Sequence, residues 1–144
     1  MSDPAESLAE VMLTFARALR TRHGELLAAH GLHPGQDALL RLVWDEPGLR
    51  QAELARRLAI EPPTVTRMVR RMERGGLLER RKDRDDARAV RIHPTPRSRL
   101  LEVMIRRSWA DLDAELMASV GPEEAERLRH LVAAATRRLR QDPE

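Results

Sequence analysis

The 144-residue chain contains no cysteine and only three aromatic side chains, Phe15, Trp44 and Trp109. Without cysteine the protein can form no disulfide, no thiolate zinc site and no thiol redox sensor. Because aromatics are so scarce, a core has to be built from Leu, Val, Met and Ala contributed by several long helices. With 42% apolar and 34% charged residues, the composition is typical of a helix-rich globular protein with one domain.

Long apolar runs are also missing. No window approaches the roughly 18 uninterrupted apolar residues that a membrane span requires. Residues 1–10 carry acidic side chains instead of the basic, then apolar, pattern of a secretory signal. We therefore expect a cytoplasmic protein.

Motifs for catalysis and for metal binding are absent as well. Lys82 is the only lysine, so no Gly-rich phosphate loop with its lysine exists, and neither G-x-S-x-G nor H-E-x-x-H occurs. His30 and His33 have a spacing compatible with a metal pair, but both fall at a predicted helix end. We therefore expect no enzyme, no cofactor and no metal site.

The basic residues are unevenly distributed along the chain. The formal net charge is +3, yet Arg56 to Arg91 holds 12 Lys+Arg against 6 Asp+Glu. A basic segment in an otherwise slightly acidic protein is typical of a surface that binds a polyanion. Arginines that merely coat solvated helices would give the same count, so charge alone leaves both interpretations open.

Apolar periodicity and helix-breaking residues predict six helices. The first runs from Ala5 to about Ala29 and the second from about Pro34 to Asp45. Two short helices follow, Arg50 to Leu58 and Pro62 to Arg74, with the spacing of a helix-turn-helix. The last two cover Pro96 to about Val120 and Glu123 to Arg140. Leu77 to Lys82 and Ala89 to Pro94 read as two short strands around a polar turn, which predicts a wing.

The Pro62–Arg74 segment is the strongest candidate for reading DNA. At 100° per residue, its valines and methionines share one face, and its arginines lie opposite. Exposed arginines suit the paired acceptors of guanine in a major groove, and threonines suit phosphates or thymine. The predicted base contacts, near the deeper N-terminal end, are Thr64, Thr66, Arg67 and Arg70, whereas Arg71 and Arg74 are assigned to phosphates.

The predicted wing adds Arg84 and Arg88 at a tight polar turn. A guanidinium on a thin hairpin can enter a narrow minor groove, where the negative potential is strongest. Asp86, two residues before Arg88, either braces it by a hydrogen bond or is a turn residue.

The same residues resemble the MarR family of bacterial regulators. The resemblance rests on Gln51-x-Glu53-Leu54-Ala55-x-x-Leu58, Thr64-Val65-Thr66-Arg67-x-Val69-x-x-Met72-Glu73, Gly76-Leu77-Leu78-x-Arg80 and Asp83-x-x-Asp86-x-Arg88. It implies a mainly α-helical winged helix-turn-helix with a two-stranded wing, dimeric through its terminal helices. It further implies binding to a pseudo-palindromic operator, Arg88 in the minor groove, and, in many members, a small aromatic or phenolic ligand that alters DNA affinity.

The predicted organisation is a single MarR-type domain over residues 1–144. Residues 5–30 and 95–141 form dimerisation helices, whose apolar stripes exceed what one small subunit can cover, and residues 34–94 form the DNA-binding lobe. A ligand pocket is expected where these parts meet. Its predicted lining is Met12, Phe15, Arg17, His23 and Trp44, although Phe15 and Trp44 also suit a plain core. His23 has no evident carboxylate partner in the sequence.

Two residues depart from the family pattern. Arg50 stands where a Ser or Thr helix cap is usual, and Pro94 replaces a strand leucine, which predicts a shortened second wing strand. The predicted function is a sequence-specific, double-stranded DNA-binding transcriptional regulator, a homodimeric repressor released by a ligand. The alternative is a noncatalytic helical module whose basic face binds an acidic protein.

Overall fold

The structure, a computed structural model, describes residues 6–140. The predicted boundaries at Ala5 and residue 141 lie outside this range. The predicted six-helix winged helix-turn-helix is confirmed. Its helices are α1 (Leu8–Ala28), α2 (Gln36–Asp45), α3 (Gln51–Leu58), α4 (Pro62–Arg74), α5 (Pro96–Val120) and α6 (Pro122–Arg140), and its strands are β1 (Leu49–Arg50), β2 (Leu78–Lys82) and β3 (Val90–Pro94).

The chain forms two compact units that meet in sequence within α5. The first unit ends at Ser108 and holds α1 to α4, the three strands and the start of α5. The second begins at Trp109 and holds the rest of α5 together with α6. None of the helices in residues 6–140 is both long enough and apolar enough to cross a membrane.

The first two helices begin with different caps. Ser7 and Glu10 form a reciprocal capping box at the start of α1. The prediction that Pro34 lies within the second helix was wrong, because Gly35 has a φ of 98° and the helix begins at Gln36. Such a positive φ suits glycine, and it separates Pro34 from the helical backbone. The Asp37 carboxylate accepts the Gly35 backbone N–H at 3.1 Å.

A residue with left-handed backbone follows each of the two helices of the helix-turn-helix. Ala59, with a φ of 52°, ends α3, and Gly76, with a φ of 73°, follows α4. After α4 the Leu77 N–H donates to the Met72 carbonyl at 2.9 Å, the pattern of a glycine-terminated helix. As the sequence predicted, Arg50 is the residue that precedes α3, and its side chain makes no cap hydrogen bond.

The sheet has three strands in the order β1-β3-β2, so the prediction of a two-stranded wing was incomplete. Strand β1 contains only two residues, which leaves no alternating pattern for sequence analysis to detect. In register, Leu49 faces Ile92 and Leu78 faces Pro94. Strand β3 has five residues and ends at Pro94, the residue that was predicted to shorten it. At that position the missing N–H costs little.

The core of the first unit positions the helix-turn-helix. Leu54 and Ala55 of α3 are buried, as are Val65, Val69 and Met72 of α4 and the wing residues Leu78 and Ile92. Burial of one face of α4 settles which of its side chains face away from the core.

Candidate nucleic-acid interface

Helix α4 presents its arginines to solvent. Val65, Val69 and Met72 are almost completely buried, and Met68 is half-buried, in agreement with the helical period. The opposite side of the helix is therefore exposed. It carries Arg67, Arg70, Arg71 and Arg74, all four of which are exposed.

Most of these arginines lack a side-chain partner. The wing loop comprises residues 83–89, between β2 and β3. Within residues 6–140, no side-chain hydrogen bond or ion pair involves Arg70, Arg71 or Arg74 of α4. The same holds for Arg84 and Arg88 of the wing loop. These five guanidiniums are free to meet an external anion.

Neighbouring arginines are occupied instead. Arg56 and Arg57 of α3 both bind Glu53, and their hydrogen bonds lower the pKa of Glu53 to about 2. Arg80 of β2 binds Glu73 at 3.1 Å. Unpaired positive charge is therefore concentrated on the outer face of α4 and on the wing loop, not spread evenly over the basic segment.

The two threonines of α4 differ in their surroundings. The Thr64 hydroxyl accepts a 3.3 Å hydrogen bond from the Arg67 guanidinium and so restrains it near the N-terminal end of the helix. The Thr66 hydroxyl donates to the Pro62 carbonyl at 3.0 Å and accepts from the Gln51 amide at 2.8 Å. Both functions of the Thr66 hydroxyl are used within the protein, where they tie α3 to α4.

The wing loop is shaped by Asp86. Its carboxylate accepts the backbone N–H of Arg88 at 3.0 Å, which makes Asp86 a turn residue. The bond reaches the Arg88 backbone and leaves the guanidinium exposed.

A groove of about 420 Å³ separates this loop from the helix-turn-helix. Its wall on the wing side includes Arg88 and Val90, and its opposite wall includes Gln51 of α3 and Pro62 of α4. Arg50 also contributes to the lining of the groove.

Sequence analysis overlooked a buried carboxylate at the base of the wing. Asp83, counted in the sequence as one of several polar loop residues, has a side chain only 1% exposed and lies between Arg50 and Arg91. The hydrogen bond from the Asp85 backbone N–H, together with the two arginines, lowers the pKa of Asp83. The sequence contains two separate signals, the unusual Arg50 and the place of Asp83 in the motif Asp83-x-x-Asp86-x-Arg88, but nothing local pairs them.

The five predicted ligand-lining residues lie in contrasting environments. On α1, Met12 is half-buried, and Phe15 and Arg17 are exposed. His23 is buried, and its Nε2 lies 2.9 Å from Asp37 Oδ2, so the carboxylate partner that the sequence did not reveal exists. Trp44 is 3% exposed and donates to the Ser98 hydroxyl at 3.3 Å.

These residues do not line either groove beside the wing. The first is the groove that contains Arg88, and the second is lined by residues 46–50, Glu53 and Arg91. Across the part of the chain that the structure describes, no cluster of three or more His, Asp or Glu side chains could hold a metal ion.

Comparison with known sequences gives one matching family and several relatives. The MarR family model matches residues 32–90. The HTH-type transcriptional regulator TtmR of Methylorubrum extorquens (strain PA1) is 38% identical over 88 residues, which cover 61% of this chain and 43% of that protein. The chain therefore spans less than half of this relative. The homoprotocatechuate degradative operon repressor of Escherichia coli is 27% identical over 131 residues, 88% of this chain and 86% of that protein.

Solved structures share the fold. The crystal structure of MarR superposes with a TM-score of 0.82 at 25% identity and covers 97% of both chains. The Staphylococcus aureus MepR–DNA complex gives 0.84 at 20% identity, over 91% of this chain and 97% of that one. The Streptomyces coelicolor PcaV regulator, solved with its natural ligand, gives 0.78 at 23% identity over 93% and 97%. At the lower two identities the likeness extends to the fold alone.

Proposed function

Because the chain belongs to the MarR family of DNA-binding transcriptional regulators, we propose that it is a homodimeric repressor of a pseudo-palindromic operator. The observation that carries this proposal is the set of five exposed arginines on α4 and the wing loop whose side chains have no partner among the described residues. Duplex DNA offers phosphates and base edges to such side chains. The repressor role draws support from the Escherichia coli relative, whose name describes a repressor of a degradative operon.

The two parts of the interface take different roles. Helix α4 enters the major groove, with Arg67 and Arg70 at base edges and Arg71 and Arg74 at phosphates. Thr64 approaches DNA beside Arg67, which it already restrains. Thr66 acts mainly within the protein, because its hydroxyl is occupied. The wing brings Arg84 and Arg88 to the neighbouring minor groove.

Apolar side chains on the terminal helices support the homodimer. Helix α6 has no buried residue, and yet Leu131 is 60% exposed and Leu139 is 87% exposed. On α1 and α5, Leu8, Leu100 and Val103 are each at least 76% exposed. Exposed apolar area of this extent is favourable to cover, at about 25 cal/mol per Å². A second copy of the chain would cover it by two-fold symmetry.

We expect a particle of about twice the 16.4 kDa chain mass in sedimentation at micromolar concentration. Leu131→Glu should shift the protein toward monomer, because it places a charge in the proposed interface. Circular dichroism of the same sample serves as a control that α-helix content is retained. A wild-type chain that sediments as a monomer at all concentrations would contradict the dimer.

A small aromatic or phenolic ligand is proposed as the signal that releases DNA. The Streptomyces coelicolor neighbour was solved with its natural ligand, which supports a ligand site in this fold. In this chain Met12, Phe15 and Arg17 remain the proposed lining, because they are not fully enclosed. His23 and Trp44 are occupied by Asp37 and Ser98, and they support the site from within the core.

Selection of binding sites from random duplex DNA tests the function directly. Purified wild-type protein should enrich two similar half-sites in inverted orientation, separated by about one or two helical turns. If the protein retains no duplex at 50 mM salt but binds an acidic protein, the interaction-module alternative replaces this proposal.

Arg70→Ala should relax the base preference at one position in each half-site and cost about 1–3 kcal/mol there. The reason is the loss of a paired donor to one base, while contacts to other positions remain. Arg71→Ala is the matched control, since it removes the same charge from the same helix at a residue assigned to phosphate. It should weaken binding to all sequences by similar factors. Equal behaviour of the two variants would move Arg70 to a phosphate role.

A further inference from the structure

The wing contains one carboxylate whose two oxygens are both occupied. Asp83 Oδ1 accepts the Asp85 backbone N–H at 2.9 Å. Asp83 Oδ2 accepts hydrogen bonds from the Nε atoms of Arg50 at 3.1 Å and Arg91 at 2.8 Å. The Asp83 side chain is only 1% exposed, although its neighbours in the loop are exposed. These donors stabilise the buried carboxylate, because an unpaired charge at this position would cost free energy.

The contacts of Asp83 join three separate segments. Arg50 immediately precedes α3, and Arg91 lies in β3, where its Nη1 also donates to the Gly48 carbonyl at 2.8 Å. The Asp83 backbone N–H donates to the Ala89 carbonyl at 3.1 Å and closes the loop at its base. One carboxylate thus ties the wing loop to the start of the helix-turn-helix.

The wing loop also carries two arginines that, unlike Arg50 and Arg91, are not bound to Asp83. Arg84 and Arg88 are exposed, and neither side chain has a partner among the described residues. Arg88 and Arg50 line the same groove, whose other wall belongs to α3 and α4. Movement of the loop base would therefore change the distance between the wing arginines and the outer face of α4.

We propose that Asp83 is a positioning residue for DNA recognition, which holds the wing at a set place relative to α4 through Arg50 and Arg91. By this means it determines the contribution of Arg88 to sequence preference in the minor groove. The inference rests on the proposed function, because it needs the wing to meet DNA. A loop that is already held in its bound position loses less conformational freedom on binding. The Arg88 guanidinium of such a loop also fits minor grooves of one particular width better than others.

The test compares Asp83→Asn with Asp85→Asn in binding-site selection from the same random duplex library. Asparagine keeps the size of the side chain and can still accept the backbone N–H, but it removes the charge that faces two guanidiniums. Asp85→Asn removes the same charge from the next acidic residue of the loop, whose side chain is exposed. The two variants therefore share any general gain in attraction to DNA.

Asp83→Asn should reduce the preference for A·T over G·C at the wing positions by about fivefold, within the range expected for one groove contact. Asp85→Asn should keep the wild-type preference. In the background of Arg88→Ala, Asp83→Asn should have no further effect on preference, because Asp83 acts through that side chain. General destabilisation would persist in that background.

Arg50→Gln gives a second measurement if Asp83→Asn fails to fold. Arg50 is about half exposed, so its replacement is tolerated, and it should produce a smaller loss of preference that also vanishes with Arg88→Ala. Wild-type preference in both variants, or a loss spread evenly over all duplexes, would overturn the inference. If the wild-type protein enriches no duplex at all, the proposed function itself fails.

Discussion

The affinity of the protein for its operator should fall on the order of a hundredfold between about 50 and 200 mM salt. Each phosphate that an arginine neutralises releases condensed counterions, and the logarithm of affinity falls with that of salt by about 0.9 per phosphate. Arg71 and Arg74, the two residues assigned to phosphates, give about four such contacts in a dimer, which corresponds to a loss of about 150-fold. Fluorescence anisotropy of a labelled operator at several salt concentrations measures the slope.

Two arginine variants make the salt measurement specific. Arg71→Ala should reduce the slope by about two, because one phosphate contact is lost from each subunit of the dimer. Arg56→Ala should leave the slope nearly unchanged, since the Arg56 guanidinium is bound to Glu53 at 2.6 Å. A slope near zero for the wild-type protein would show that its arginines do not meet the DNA backbone.

The second large effect concerns stability. Trp44→Ala should lower the free energy of unfolding by about 3–5 kcal/mol, the usual range for removal of a large buried aromatic. Trp44 is 3% exposed, and its indole N–H donates to the Ser98 hydroxyl, so truncation leaves a cavity and removes one buried hydrogen bond. Urea denaturation followed by circular dichroism measures the change, at one protein concentration because a dimer's stability depends on it.

Trp44→Phe is the matched control for packing. It keeps most of the ring and loses the hydrogen bond, so a loss of about 1 kcal/mol is expected. The comparison also separates the two interpretations that the sequence allowed for Trp44. If Trp44→Ala costs less than about 1 kcal/mol, the side chain lines an open pocket and is not part of the core.

Helical period alone was enough to predict the orientation of α4. Val65, Val69 and Met72 recur at the spacing of one helical face, and their burial leaves Arg70 and Arg74 outside. This prediction succeeded because it depends only on neighbours within a few turns of one helix.

Local periodicity could not predict the short strand β1 or the pairing of Pro94 with Leu78. A two-residue strand has no period, and its existence depends on pairing with β3 more than 40 residues later in the chain. Pro94 was expected to shorten its strand, and β3 ends there, but the pairing of Pro94 with Leu78 depends on how the two strands align. That information belongs to the assembled sheet.

The amino-acid sequence by itself determined the six helices and the two longer strands, the basic face of α4 and the resemblance to a regulator family. Periodicity, helix-ending residues and turn chemistry act over a few neighbouring positions, so they can be read without knowledge of the fold. Only the tertiary structure decided which charges remain available. His23 with Asp37 and Arg50 with Asp83 are pairs separated by 14 and 33 residues. These pairs form only when the tertiary fold brings distant parts of the chain together. The arginines that remain unpaired in the folded chain form the proposed DNA surface.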